Sequence, residues 1–197
     1  MDTALIDAAA LGDAGEVARL LGEGASVDAR DATNRTALHL ATQGNHVAAA
    51  VMLIEAGADV NAYDGASIDH TPYLMAGARG YLEILASILT HGADLTSTNG
   101  YGGTALIPAC ERGFVAVARL LIEAGTDLDH VNRLGWTALL EAIVLSDGGP
   151  AHQQIVRMLL EAGADPGLAD GEGVTPLAHA EARGYAAFAA LLRALGG

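Results

Sequence analysis

Thr36-Ala37-Leu38-His39-Leu40-Ala41 opens a short apolar pattern, and Val51-Met52-Leu53-Ile54-Glu55-Ala56-Gly57-Ala58-Asp59-Val60-Asn61-Ala62 closes it. The first piece has the form of a helix start. Thr36 is an N-cap candidate whose hydroxyl can accept from the first free helical amides. The second piece is the end of another helix, stopped by Gly57 and followed by a turn. The same opening returns along the chain. Thr3, Thr36, Thr71, Thr104, Thr137 and Thr175 are spaced 33, 35, 33, 33 and 38 residues apart. A period of this length marks an array of stacked helical units.

The residues between these threonines repeat as well. Pro72 and Pro176 follow their threonines at the first helical position, where no hydrogen bond is lost. Small residues recur at one offset: Ala41, Ala76, Ala109, Ala142 and Ala180. They predict close helix–helix approach. The first helix of each unit is expected to end near Gly12, Asn45, Gly80, Gly113 or Gly184, residues that tolerate a left-handed backbone. The second helix carries apolar residues at helical spacing, such as Val117, Leu120 and Leu121. It ends at Gly24, Gly57, Gly92, Gly125 or Gly163. One such helix pair cannot bury its own apolar face, so neighbours must stack on it.

These motifs resemble the ankyrin repeat, with its T-P-L-H-x-A opening and G-A-D-V-N ending. The resemblance covers essentially the whole chain. It implies an all-α ankyrin-repeat solenoid of about six helix-turn-helix units with hairpin-like links, forming a single domain over residues 1–197. In this family a histidine at the place of His39 stitches neighbouring links. The stretch His130-Val131-Asn132-Arg133-Leu134-Gly135-Trp136-Thr137, with Glu141 and the later Gly148-Gly149-Pro150, is similar to small stand-alone bacterial ankyrin proteins.

Composition narrows the function classes. The net charge of −14 repels nucleic acid and anionic membrane. No apolar run reaches the ~18 residues of a membrane span. The start of the chain lacks a basic segment and a long apolar core, so no secretory signal is expected. A single cysteine, Cys110, excludes an intrachain disulfide and a thiolate zinc cluster. A cytoplasmic location is therefore expected. The seven histidines are scattered without paired ligand spacing, and no metal or cofactor is implied. No nucleophile elbow or metal-protease motif occurs, so a catalytic role is not expected. Gly100-Tyr101-Gly102-Gly103 lacks the lysine of a phosphate loop and reads as a turn. The terminal units are not very polar, so a monomer with weak end-to-end self-association is expected.

The resemblance implies that a partner protein binds the concave face, made by the links before each threonine and the exposed side of the first helices. Carried onto this sequence, the partner-binding residues are Arg35, Tyr63, His70, Arg79, Tyr101, Glu111, Arg112, Arg133 and Trp136. Trp136 is the one tryptophan. With Tyr101, Arg112 and Arg133 it supplies the large rigid area and guanidinium chemistry of binding hot spots.

The unit opening at Thr137 breaks the pattern. Four residues after each threonine stand Asp7, Leu40, Met75, Pro108, Glu141 and His179. Equal offsets lie side by side in a stack, so Glu141 and His179 are expected to be neighbours. A hydrogen bond between them would form a polar pocket, and the alternative function is a small-molecule binder or unrecognised enzyme built on it. Five extra residues near Ser146–His152 are expected in the loop between that unit's two helices, and two more lengthen the link at residues 64–70.

Overall fold

The structure, a computed structural model, describes residues 1–196. Gly197, the last residue of the expected domain, lies outside them. The chain groups into two compact lobes, residues 1–94 and a second beginning at Leu95. The described residues are all-helical, with one isolated antiparallel bridge between Arg30 and Thr36.

The first lobe holds α1 (Asp2–Leu11), α2 (Ala14–Gly22), α3 (Ala37–Gln43), α4 (Val47–Glu55), α5 (Pro72–Arg79) and α6 (Leu82–Thr90). Alternate helices form two layers. α1, α3 and α5 pack in one row, and α2, α4 and α6 in the other. The second lobe repeats the plan. It holds α7 (Leu106–Glu111), α8 (Val115–Glu123), α9 (Ala138–Val144), α10 (Pro150–Glu161), α11 (Pro176–Ala182) and α12 (Ala186–Leu195). Here α7, α9 and α11 form one row, and α8, α10 and α12 the other.

The small-residue positions explain the spacing of the rows. Ala41, Ala76, Ala109, Ala142 and Ala180 are completely buried. A larger side chain there would force the first helices apart. The helix ends follow the expected glycines. Gly80 closes α5 at φ 76°, and Asn45 takes φ 53° at the place where sister units have glycine. Asparagine is one of the few other residues that tolerate this backbone.

Four threonines cap as expected. Thr36, Thr71, Thr137 and Thr175 accept through their side chains from His39, Leu74, Leu140 and Ala178 amides. Two depart from the pattern. Thr3 lies inside α1, because that helix already begins at Asp2. Thr104 lies two residues before α7, and its buried hydroxyl oxygen has no partner among the described residues.

Pro108 explains the second departure. In the other capped units the fifth amide of the motif bonds back to the threonine carbonyl, as Glu141 N does to Thr137 O at 3.0 Å. Pro108 has no amide to give. The Thr104 carbonyl takes the Ile107 amide instead, at 3.3 Å. That is the amide the hydroxyl would have capped. The helix start at Pro108 is therefore a tightened first turn.

The insertion after α9 is held on both sides. Part of it extends α10, which runs twelve residues where α2, α4, α6 and α8 run nine. His152 Nε2 bonds the Glu111 carbonyl at 2.9 Å, and the Tyr185 hydroxyl donates to the Ser146 carbonyl at 2.9 Å.

Candidate functional site

Each link is built around one Asp or Asn. In the link before α9, Asn132 Oδ1 accepts from the amides of Leu134 and Trp136, at 2.9 and 3.1 Å. The Asn132 amide bonds the Trp136 carbonyl at 3.0 Å, closing the loop. Asn99, Asp31, Asp64 and Asp170 organise their own links in the same manner. These side chains give irregular backbone the hydrogen bonds it needs to stay in one conformation.

In the second lobe the link at Tyr101 and the link at Arg133 are joined directly. Arg133 N donates to the Tyr101 carbonyl at 2.9 Å, and its guanidinium Nη1 donates to the Gly100 carbonyl at 2.9 Å. His130 Nε2 meets the Gly102 carbonyl at 2.7 Å. Gly102 sits at φ 74°, and a Cβ there would come within 2.9 Å of Arg133 Cγ. This close seat fixes Tyr101 and Arg133 side by side. Tyr101 is 55% exposed, and Trp136 is half-buried. Val131 and Leu134, on the same link as Trp136, are also exposed. Arg112 is exposed at the end of α7, with Glu111 at 3.9 Å.

The first-lobe candidates form smaller groups. Tyr63 and His70 face each other across their own link, with ring centroids 4.7 Å apart. His70 takes φ 43° in the lengthened link, and its carbonyl meets His39 Nε2 at 3.2 Å. His39 also bonds Thr36, so it stitches two links as the family pattern implies. Burial pushes the His39 pKa down, which favours the neutral ring this bonding uses. Arg35 pairs with Asp31 at 2.9 Å, and Arg79 Nη1 caps the Gln43 carbonyl at 3.2 Å.

The expected Glu141–His179 hydrogen bond is not formed. Glu141 Oε1 accepts from Asn132 Nδ2 at 2.7 Å, and His179 Nε2 bonds Asp170 Oδ2 at 2.7 Å. Both side chains turn to the link residue nine positions earlier in their own unit, where a complementary group waits at ideal distance. The structure therefore does not bring the two together as a bonded pair. Asn132 and Asp170 were not among the sequence candidates. Every link carries an Asp or Asn, so the signal for them was the polar residue four positions after the threonine, Glu141 or His179, which can reach back to it.

Glu141 is 5% exposed. Burial, then the charge of Glu111, raises its pKa to about 7, while the Asn132 amide and Arg112 offset part of the rise. Asp170 is held low by the Val174 amide and by His179. Cys110 is fully buried, and burial pushes its thiol far up. Such a thiol is a packing residue without nucleophilic character.

A helical array whose polar link residues and helix-opening threonines recur every 33 to 38 residues defines a repeat protein of the ankyrin class. The profile of the ankyrin repeat family, in its three-copy form, matches residues 1–64 and 73–170. This chain belongs to that family. It is 40% identical over 190 residues to the ankyrin repeat protein YahD of Escherichia coli K12, covering 96% of this chain and 94% of that protein. An ankyrin repeat domain from Acinetobacter baumannii AYE is 57% identical, with a TM-score of 0.94, covering 98% of this chain and 97% of that one. A second solved ankyrin repeat protein is 40% identical, with a TM-score of 0.92 and 98% coverage of both chains.

Proposed function

We propose that this protein is a non-catalytic module that binds a partner protein on the face made by its links and first helices, the concave face of ankyrin arrays. The observation that carries this reading is the second-lobe patch. Arg133 is fastened to the Tyr101 link by one backbone bond and by a guanidinium bond to the Gly100 carbonyl, and Trp136, Val131 and Leu134 stand on the same link as Arg133. Aromatic and guanidinium groups on a preorganised backbone lose little freedom when they are covered. Arg112 and Glu111 at the end of α7 belong to the proposed second-lobe site, and Arg35, Tyr63, His70 and Arg79 are the proposed binding residues of the first lobe. Family membership supports the same reading, because ankyrin repeats are generally protein-interaction modules.

The net charge of −14 favours a partner with basic features and disfavours nucleic acid and anionic membrane. No helix among the described residues is long and apolar enough to cross a membrane. A cytoplasmic setting in a bacterium fits the bacterial relatives and the lone buried cysteine.

The test is affinity capture from lysate of the native host, with the wild type beside a folded Trp136→Ala/Arg112→Ala variant and an Arg119→Ala control on α8. A protein held by wild type and control but lost by the double variant, and bound at least about tenfold less tightly by that variant after purification, meets the expectation. Equal binding by all three baits would remove the second-lobe patch as the binding surface. Trp136→Ala alone is expected to lower stability by under about 1 kcal/mol, since the link is held by backbone and Asn132 bonds. A large fall in Tm would make Trp136 a core residue.

A further inference from the structure

The first lobe carries a groove of about 320 Å³ between α3, α5 and the lengthened link. The buried Met75 side chain is among its lining, with Arg35, Gln43 and Arg79 beside it and the Asp64–Ser67 turn closing one side. The hydrogen bonds on its walls give it a sign. The Asp64 carboxylate on its wall is already filled, and so is that of Asp31, which lies outside the lining and holds Arg35. Asp31 accepts from the Thr33 amide and hydroxyl and from the Arg35 amide and guanidinium. Asp64 accepts from the amides of Ala66 and Ser67 and from the Ser67 hydroxyl. Burial works against ionisation of both, yet these donors outweigh it and hold both pKa values low, Asp31 at about 2.

The donors are not spent to the same extent. Arg79 gives Nη1 to the Gln43 carbonyl and pairs with no carboxylate among the described residues. Arg35 uses Nε and Nη2 on Asp31, while Nη1 reaches Gln43 Oε1 only at 3.4 Å. Both guanidiniums therefore touch the same glutamine. Saturated acceptors beside two partly used guanidiniums favour an incoming carboxylate, which can accept from both forks.

We propose that this groove receives the side-chain carboxylate of one acidic residue on the partner polypeptide, its methylene stem lying over Met75. The inference rests on the reading of the link face as a protein-binding surface. It also reconciles a local preference for an acid with the overall charge. A field of −14 repels a polyacidic segment, so the groove selects a single carboxylate on an otherwise neutral or basic one.

The test titrates N-acetyl-glutamate-N-methylamide into wild-type protein labelled with nitrogen-15 and follows the arginine Nε–Hε resonances. Saturable shifts at Arg35 and Arg79 are expected. Binding of the matching glutamine compound, and of the glutamate compound to Arg79→Gln, is expected to be at least about tenfold weaker. Shifts that do not saturate, or equal shifts with the glutamine compound, overturn the proposal. Tighter binding of succinate than of the blocked glutamate also overturns it, and makes the groove a site for free dicarboxylates. The capture experiment with Trp136→Ala/Arg112→Ala reads the second lobe alone, so the two proposals fail separately.

Discussion

Glu141 shows how one residue can set a pH response. A carboxyl group ordinarily near pKa 4.5 is raised to about 7 by burial and by Glu111. A shift of that size corresponds to ~3 kcal/mol between protonation states. The sign follows from proton binding. Between pH 4.5 and 7 the folded state holds a proton that the unfolded chain has released, so stability falls as pH rises through this window. Above it the loss is complete. The low-shifted carboxylates Asp31 and Asp64 act in the opposite sense and in a different window, losing their contribution only as pH falls below about 4. Glu141→Gln keeps an acceptor for Asn132 and cannot ionise. Thermal unfolding should show the variant more stable than wild type at pH 8, by on the order of 2–3 kcal/mol, and nearly equal at pH 4. A Gln variant less stable at pH 8 would mean that the charge itself is needed there.

At the scale of the helix, the contrast between Thr104 and Thr137 is testable by a single methyl-for-hydroxyl exchange. Thr137→Val removes a cap and should cost about 1–2 kcal/mol in denaturant unfolding. Thr104→Val removes a buried hydroxyl that has no partner, so it should be neutral or slightly stabilising. Equal losses at both sites would show that Thr104 has a hydrogen bond after all. The helices and their glycine stops were legible in the sequence because each depends on residues close in the chain, and the alanine row because it recurs at one offset from unit to unit. The cap at Thr104 was not, because the threonine motif is intact and the conflict arises four residues later, at Pro108. The Glu141 and His179 partners were misjudged for a related reason. Stack geometry favours neighbours at equal offset, whereas the shorter route runs back to the unit's own link. The link residues were legible as candidates by type, but their mutual arrangement depends on backbone bonds such as Arg133 to Tyr101, which leave no mark in composition.

At the scale of the whole molecule, charge is the dominant long-range term. The chain has 24 acidic and 10 basic residues. Exposed pairs such as Arg19 with Glu16 and Glu23 contribute little, while like-charge repulsion acts throughout. Raising NaCl from about 20 mM to about 300 mM should therefore raise Tm by a few degrees, since screening relieves repulsion more than it weakens the pairs. A falling Tm would place net attraction in the ion pairs. The same chain keeps another kind of bookkeeping strictly local. Asn132 with Glu141, and Asp170 with His179, each close a polar circuit inside one repeat. A gene that duplicates, deletes or trades such a repeat carries both halves together, so the circuit is inherited as one parcel. A point mutation that strikes one half leaves its mate stranded, which makes the repeat, rather than the residue, the unit in which this part of the protein can evolve.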